Sequence, residues 1–160
     1  DISGYTRLTQ QFGDAAAARL AERLGRIVGQ TAARHGGRAV KWLGDGVMLH
    51  FPDPARGVVA ALDMAEAVVD SGLPPAHVGL HSGPVIFQEA DYYGSTVNIA
   101  ARIAAHAGPG QVVVSQDVVE ASADVLGVSF EDIGPVELKG VVGAVRLFEA
   151  IPDPGTPQPT

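Results

Sequence analysis

The chain has 160 residues, 46% hydrophobic and 18% charged, with a formal net charge of −7. That is enough chain for one domain with a sizeable core, and the acidic balance argues against nonspecific nucleic-acid binding. The absence of cysteine excludes disulfides, thiolate zinc sites and cysteine nucleophiles.

The chain opens on Asp1, and Ile2-Ser3-Gly4-Tyr5-Thr6 reads as the loop after a strand. The expectation is a fragment whose first strand lies upstream. From Asp14 to about His35 the residues Leu20, Leu24, Ile27, Val28 and Thr31 recur at helical spacing, and Gly36-Gly37 stops the run. Residues 38–43 (RAVKWL) and 47–51 (VMLHF) read as strands joined by Gly44-Asp45-Gly46, a strong hairpin signal. Residues 54–69 predict an amphipathic helix begun by proline.

The apolar stretch 57–69 carries Asp63 and Glu66 and is too short and too charged to span a bilayer. With no signal-peptide pattern either, a cytoplasmic domain without membrane contact is expected. Residues 76–81 predict a strand, with 85–88 paired to it as a hairpin through Ser82-Gly83-Pro84. Residues 95–106 predict a helix ended by Gly108-Pro109-Gly110. A short strand at 111–114, a helix from 115 to about 123, and strands at 128–130, 136–138 and 145–149 complete the pattern. The expected class is α+β, a ferredoxin-like mixed or antiparallel sheet with helices packed on it. Residues 1–151 form the domain, and 152–160 (PDPGTPQPT, with its last prolines closely spaced) read as a tail or linker.

Few residues could carry chemistry. Asp45 sits between two glycines at a hairpin tip, where turn chemistry alone explains it. Asp1 is equally at home as an N-cap. Together they offer two carboxylates on neighbouring strand ends, and such a pair can hold divalent cations against phosphate oxygens. The Gly-containing turn from Ile2 to Thr6 enters a helix and offers free N–H groups to an anion, a feature common to loop-to-helix junctions. Asn98 and Arg102, four apart, share one helix face, as any solvated polar stripe would. The segment leading to them, Asp91-Tyr92-Tyr93-Gly94, is less ordinary: a carboxylate, two aromatics and a glycine.

Taken in order, Asp1-Ile2-Ser3-Gly4-Tyr5-Thr6, Lys41-Trp42-Leu43-Gly44-Asp45-Gly46-Val47-Met48, Val78-Gly79-Leu80-His81-Ser82-Gly83 and Asp91-Tyr92-Tyr93-Gly94 with Asn98 and Arg102 resemble the class III nucleotidyl cyclase catalytic domain. The resemblance runs over roughly residues 1–150. It implies that Asp1 and Asp45 bind two divalent cations, Mg²⁺ or Mn²⁺, with the backbone of Ile2 as a further ligand. Ser3, Gly4, Tyr5 and Thr6 would cup the triphosphate. Lys41 and Asp91 would read the purine, and Asn98 and Arg102 would orient the ribose and stabilise the transition state. Lys139, in Leu138-Lys139-Gly140, matches a phosphate-contacting lysine through a short motif. His77 stands where many members carry a phosphate-binding arginine.

The implied activity is adenylyl cyclase: ATP to 3′,5′-cyclic AMP and pyrophosphate at a site shared across a homodimer, in a parent chain with a regulatory domain. Adenine shows a donor at N6 and an acceptor at N1, which a carboxylate and an ammonium complement. Guanine shows the reverse. A catalytically silent cyclase-like domain used for nucleotide sensing or dimerisation is the alternative; it would be favoured by loss of a metal aspartate or of the Asn–Arg pair. Another two-metal nucleotidyl transferase is the third reading, but the hairpin lacks the Gly-Gly-Asp/Glu-Glu-Phe of diguanylate cyclases. Trp42 and Met48 read as hairpin core or dimer contacts rather than ligand groups.

Overall fold

The computed structural model describes residues 1–2, 5–43, 46–89 and 91–153. Two helices open it, α1 (Tyr5–Phe12) and α2 (Asp14–Arg34). A hairpin of β1 (Arg38–Leu43) and β2 (Gly46–His50) follows, then α3 (Pro54–Asp70). Next come β3 (Val78–Leu80), β4 (Ile86–Gln88), β5 (Asp91–Tyr93) and α4 (Ser95–His106). The chain closes with β6 (Val112–Ser115), α5 (Gln116–Ala121), β7 (Val128–Glu137) and β8 (Ala144–Pro152). This is the expected α+β class, with the strands divided among three sheets in the described residues: β1-β2, β4-β5 and a mixed β3-β6-β8-β7 sheet.

Helix boundaries follow local chemistry. The Asp53 carboxylate accepts the Ala55 N–H at the start of α3, and Pro54 occupies the first turn, where a missing N–H costs nothing. Gly94 precedes α4 with φ 121°, a conformation that L side chains rarely adopt, so the chain can turn there from β5 into the helix.

Three apolar clusters hold the layers together. α2 and α3 meet through Leu24, Val28, Met64 and Val68. α3 and α5 pack on the mixed sheet through Val58, Val112, Val114 and Val118. α4 packs on it through Ile103 against Val113 and Leu147. Fully buried side chains of this size each contribute roughly 1.5–3 kcal/mol relative to exposure. β3 and α4 approach so closely that a Cβ on Gly79 would fall on the Ala104 backbone.

Two expectations are corrected. β4 does not pair with β3: β3 pairs parallel with β6, while β4 pairs antiparallel with β5, Gln88 opposite Asp91. The strands expected at 128–130 and 136–138 are one strand, β7, which runs through a bulge between Asp132 and Gly134. The bulge interrupts the alternation that marks a continuous strand.

Among the described residues, β2 and β3 each leave an edge open beside a groove. β3 is an edge strand, and β2 has β1 as its single partner among the described residues. A largely apolar groove of about 430 Å³ lies between them, lined by Val47, Leu49, Met64, Val78 and Leu80 among others. Asp1 enters beside it. Asp1 N–H donates to the His77 carbonyl at 3.0 Å, and His77 N–H donates to the Asp1 carbonyl at 2.6 Å. Ile2 and Ala76 are the adjoining antiparallel pair.

Candidate active site

The hairpin bearing Lys41 is irregular in a way that matters. Arg38 pairs with His50 and Lys41 pairs with Met48, with a bulge between Ala39 and Lys41. Residues two apart on a regular strand share a face, so His50 and Met48 do. The extra residue, Val40, therefore brings Arg38 and Lys41 onto that same face although they are three apart. Both reach β5. Lys41 Nζ donates to Asp91 Oδ2 at 3.3 Å, and Arg38 donates to the Tyr92 hydroxyl at 2.8 Å.

Lys41, Met48, Asp91, Tyr92, Tyr93, Gly94, Val97 and Asn98 line a half-open cavity of about 250 Å³. The base-reading pair and the ribose-orienting asparagine expected from sequence thus meet in one place. Asp91 is held at both oxygens: Oδ1 accepts the Tyr92 N–H at 2.8 Å, and Oδ2 accepts Lys41. The Lys41 side chain is half exposed, and such a pair contributes only about 0–1 kcal/mol to stability. What it provides is a donor and an acceptor placed side by side.

Asn98 and Arg102 lie on the exposed face of α4, opposite the buried Thr96 and Ile103. Asn98 reaches the cavity; Arg102, a turn further along, is not among its lining residues. Lys139 stands exposed in the turn after β7 and does not line it either.

The expected metal corner is partly described. Ser3, Gly4 and Asp45 lie outside the described residues, as do the side chains of Tyr5 and Thr6, whose backbone opens α1. Asp1 is described, and its carboxylate rests against the end of β2: a Cβ built on Gly46 would fall on Asp1 Oδ1. This carboxylate therefore packs on the residue next to Asp45. Ile2 and Ala76 form a pair without mutual hydrogen bonds, which leaves the Ile2 carbonyl outside that ladder. An oxygen donor set of this kind fits a hard divalent cation. Among the described residues alone, no three His, Asp or Glu side chains cluster to hold a metal. The His77 ring bonds through Nδ1 to the Ala107 carbonyl at 2.6 Å, which ties it to the end of α4.

Sequence reasoning missed Met48, Tyr92, Tyr93, Gly94 and Val97 as lining residues. The signal for Met48 was its place across the hairpin from Lys41, but the register needed to see it depends on the bulge.

The described residues thus combine a lysine–aspartate pair in a small pocket, a polar helix face at its rim and the Asp1 carboxylate against the end of β2. Residues 1–149 match the adenylate and guanylate cyclase catalytic domain model. The chain is 35% identical over 158 residues to a pH-sensitive adenylate cyclase of Mycobacterium tuberculosis, covering 92% of this chain and 38% of that protein. It is 31% identical over 155 residues to a putative adenylate cyclase of Rhizobium meliloti, covering 92% of this chain and 26% of that protein.

Among solved structures, an adenylate/guanylate cyclase/hydrolase from Silicibacter pomeroyi superposes with a TM-score of 0.78 at 27% identity, covering 96% of this chain and 93% of the other. The adenylyl cyclase CyaB of P. aeruginosa superposes with a TM-score of 0.76 at 21% identity, covering 94% and 90%, a likeness of fold. The chain belongs to the adenylate and guanylate cyclase catalytic-domain family. It spans well under half the length of these two curated relatives. No helix among the described residues is long and apolar enough to cross a membrane.

Proposed function

We propose that this domain is an adenylyl cyclase that converts ATP to 3′,5′-cyclic AMP and pyrophosphate at a site shared between two copies of the chain. The observation that carries the choice of purine is the Lys41–Asp91 pair facing one cavity with Asn98. Asp91 accepts from the adenine N6 amino group, and Lys41 donates to N1. Guanine would set its O6 acceptor against the carboxylate and its N1–H donor against the ammonium, and both contacts would be repulsive.

Asn98 orients the ribose so that its 3′-oxygen lies in line with the α-phosphorus. The Arg102 guanidinium meets the charge that grows on the α-phosphate oxygens as the new bond forms and pyrophosphate leaves. The Ser3–Thr6 turn cups the triphosphate, and Lys139 adds a phosphate contact. Two divalent cations, Mg²⁺ or Mn²⁺, would be held by the carboxylates of Asp1 and Asp45 and the Ile2 carbonyl, and would supply Lewis-acid activation of the attacking hydroxyl and neutralisation of the leaving phosphates. No side chain need act as a strong base.

Arg102 and Lys139 do not line the Lys41–Asp91 cavity. The shared site gives Arg102 its place: one copy contributes Lys41, Asp91, Asn98 and Arg102, and its twofold mate contributes Asp1 and Asp45. The expected first strand fits the groove between β2 and β3. Continued upstream, the antiparallel register of the Asp1–His77 hydrogen bonds would carry such a strand along the open edge of β3, which supports this reading. The domain works in the cytoplasm, where ATP is available, under the control of other parts of its parent chain.

The test is direct. The parent protein is incubated with ATP or GTP and Mn²⁺, and the products are separated. Cyclic AMP from ATP, with little cyclic GMP from GTP, supports the reading. No cyclic nucleotide from either would favour a silent nucleotide-sensing domain.

A further inference from the structure

We infer that Tyr92 is a positioning residue that sets the purine preference of the site by holding Asp91 in place; this rests on Lys41 and Asp91 reading the base. The β1-β2 and β4-β5 hairpins belong to separate sheets, so no backbone ladder among the described residues fixes one against the other. Side chains join them, and most of these contacts converge on Tyr92. Its ring stacks on His50 of β2, with centroids 4.4 Å apart and planes at 17°. Phe87 of β4 packs on it at 4.9 Å. Its hydroxyl accepts from Arg38 of β1 at 2.8 Å, and the Arg38 guanidinium lies 5.6 Å from the ring centroids of both Tyr92 and Phe87.

These contacts transmit directly to Asp91. The Tyr92 N–H is the donor to Asp91 Oδ1, and Lys41 is the donor to Oδ2. When the Tyr92 ring is clamped, the peptide that orients the carboxylate is clamped with it. Arg38 and Lys41 share a face because of the bulge at Val40, so the hairpin that supplies the base-reading lysine also supplies the clamp. Burial and the nearby Arg38 hold the His50 pKa below its usual value, which keeps the stacked imidazole uncharged beside the guanidinium. The geometry matters because base discrimination depends on two hydrogen bonds meeting their partners, and small displacements of an aligned group are costly.

Steady-state kinetics of the parent enzyme with ATP and GTP test this in five variants: Tyr92→Leu, Tyr92→Phe, Arg38→Met, the double variant Arg38→Met/Tyr92→Phe, and Asp91→Ala. Tyr92→Leu is expected to raise KM for ATP about tenfold and to lower the ATP-over-GTP preference by a similar factor, with kcat within about twofold. Tyr92→Phe keeps the stacked ring and loses only the bond from Arg38, so its shift is about threefold. Arg38→Met loses that bond and the guanidinium over the two rings, so its shift should be at least as large, and the double variant should be no worse than Arg38→Met alone.

A fall in kcat with unchanged purine preference in Tyr92→Leu would reduce Tyr92 to a structural role and overturn the proposal. If Tyr92→Leu does not fold, Tyr92→Phe decides: unchanged preference and KM overturn it. Asp91→Ala separates the two layers. If it erodes the preference while the Tyr92 variants do not, positioning fails and base reading stands. If Asp91→Ala keeps the wild-type preference, base reading fails and the role of Tyr92 falls with it.

Discussion

Lys41 Nζ donates to Asp91 Oδ2 at 3.3 Å, which joins the first hairpin of the chain to the strand that leads into α4. Fifty residues separate the two in sequence. Their meeting places a cation and an anion at one end of a cavity whose rim carries Asn98. Changing Lys41 to Glu and Asp91 to Cys together reverses the hydrogen-bonding pattern facing the purine. The double variant is expected to lose at least about tenfold in ATP use relative to GTP, measured as the ratio of kcat/KM values. A retained ATP preference would mean that these residues do not read the base.

Gly46 touches Asp1 closely enough that a methyl group there must displace the carboxylate. The contact is with the end of a side chain, so the fold can accommodate it. Gly46→Ala is therefore expected to keep its thermal midpoint within a few degrees while cyclase activity falls at least about tenfold. Raising the Mn²⁺ concentration should recover part of the loss. Full activity at low metal would show that Asp1 is not a ligand.

Gly79 presents the opposite case, because its Cβ would meet the Ala104 backbone rather than a mobile side chain. β3 or α4 must shift to admit it. Gly79→Ala is expected to cost about 1–3 kcal/mol, the range for overpacking a close contact. Denaturant unfolding measures this directly, and an unchanged midpoint would contradict the packing described.

His81 supplies a pH dependence of stability. Burial, outweighing the nearby Asp117, holds its pKa below the ordinary 6.5, and Nδ1 lies 2.7 Å from the buried Ser115 hydroxyl. The unfolded chain binds this proton more readily than the folded one. The folded state therefore has its full advantage above about pH 6.5, and loses it as pH falls through the lowered folded value. His50 has the same sign, from burial and then Arg38. The thermal midpoint should drop between pH 7 and 5, and His81→Gln should flatten part of that slope. A slope identical in His81→Gln would remove His81 as a contributor.

The parts of this fold that repeat at regular spacing are readable in the residues. The helix predicted at 95–106 is α4 to the residue, and the hairpin around Gly44-Asp45-Gly46 joins the strands predicted on either side. What escaped reading breaks a rule. The β4-β5 turn passes through Glu89 at φ 52°, where sequence signals would call for Gly, Asn or Asp, so Asp91–Tyr93 read as a helix lead-in. The bulge beside Val40 hides the shared face of Arg38 and Lys41 from any count by twos. Asp91, Asn98 and Lys41 could be named from the family resemblance, whereas Tyr92 and Met48 gain a place at the site only through three-dimensional contacts.

The central claim is a cyclase site assembled from two chains, and complementation tests it most directly. Parent proteins carrying Asp45→Ala and Arg102→Ala should each be nearly inactive alone. In a mixed dimer one site collects both defects and the other collects neither. Random equal mixing makes about half the dimers mixed, each with one good site of two, so cyclic AMP production should return to about a quarter of the wild-type rate. The two chains are co-expressed with different tags, and the unfractionated pool is assayed for that quarter; the mixed dimer, purified through both tags in sequence, is predicted to show about half of the wild-type rate. Recovery near those levels is the predicted result; mixed dimers that remain as inactive as the single variants would contradict the shared site.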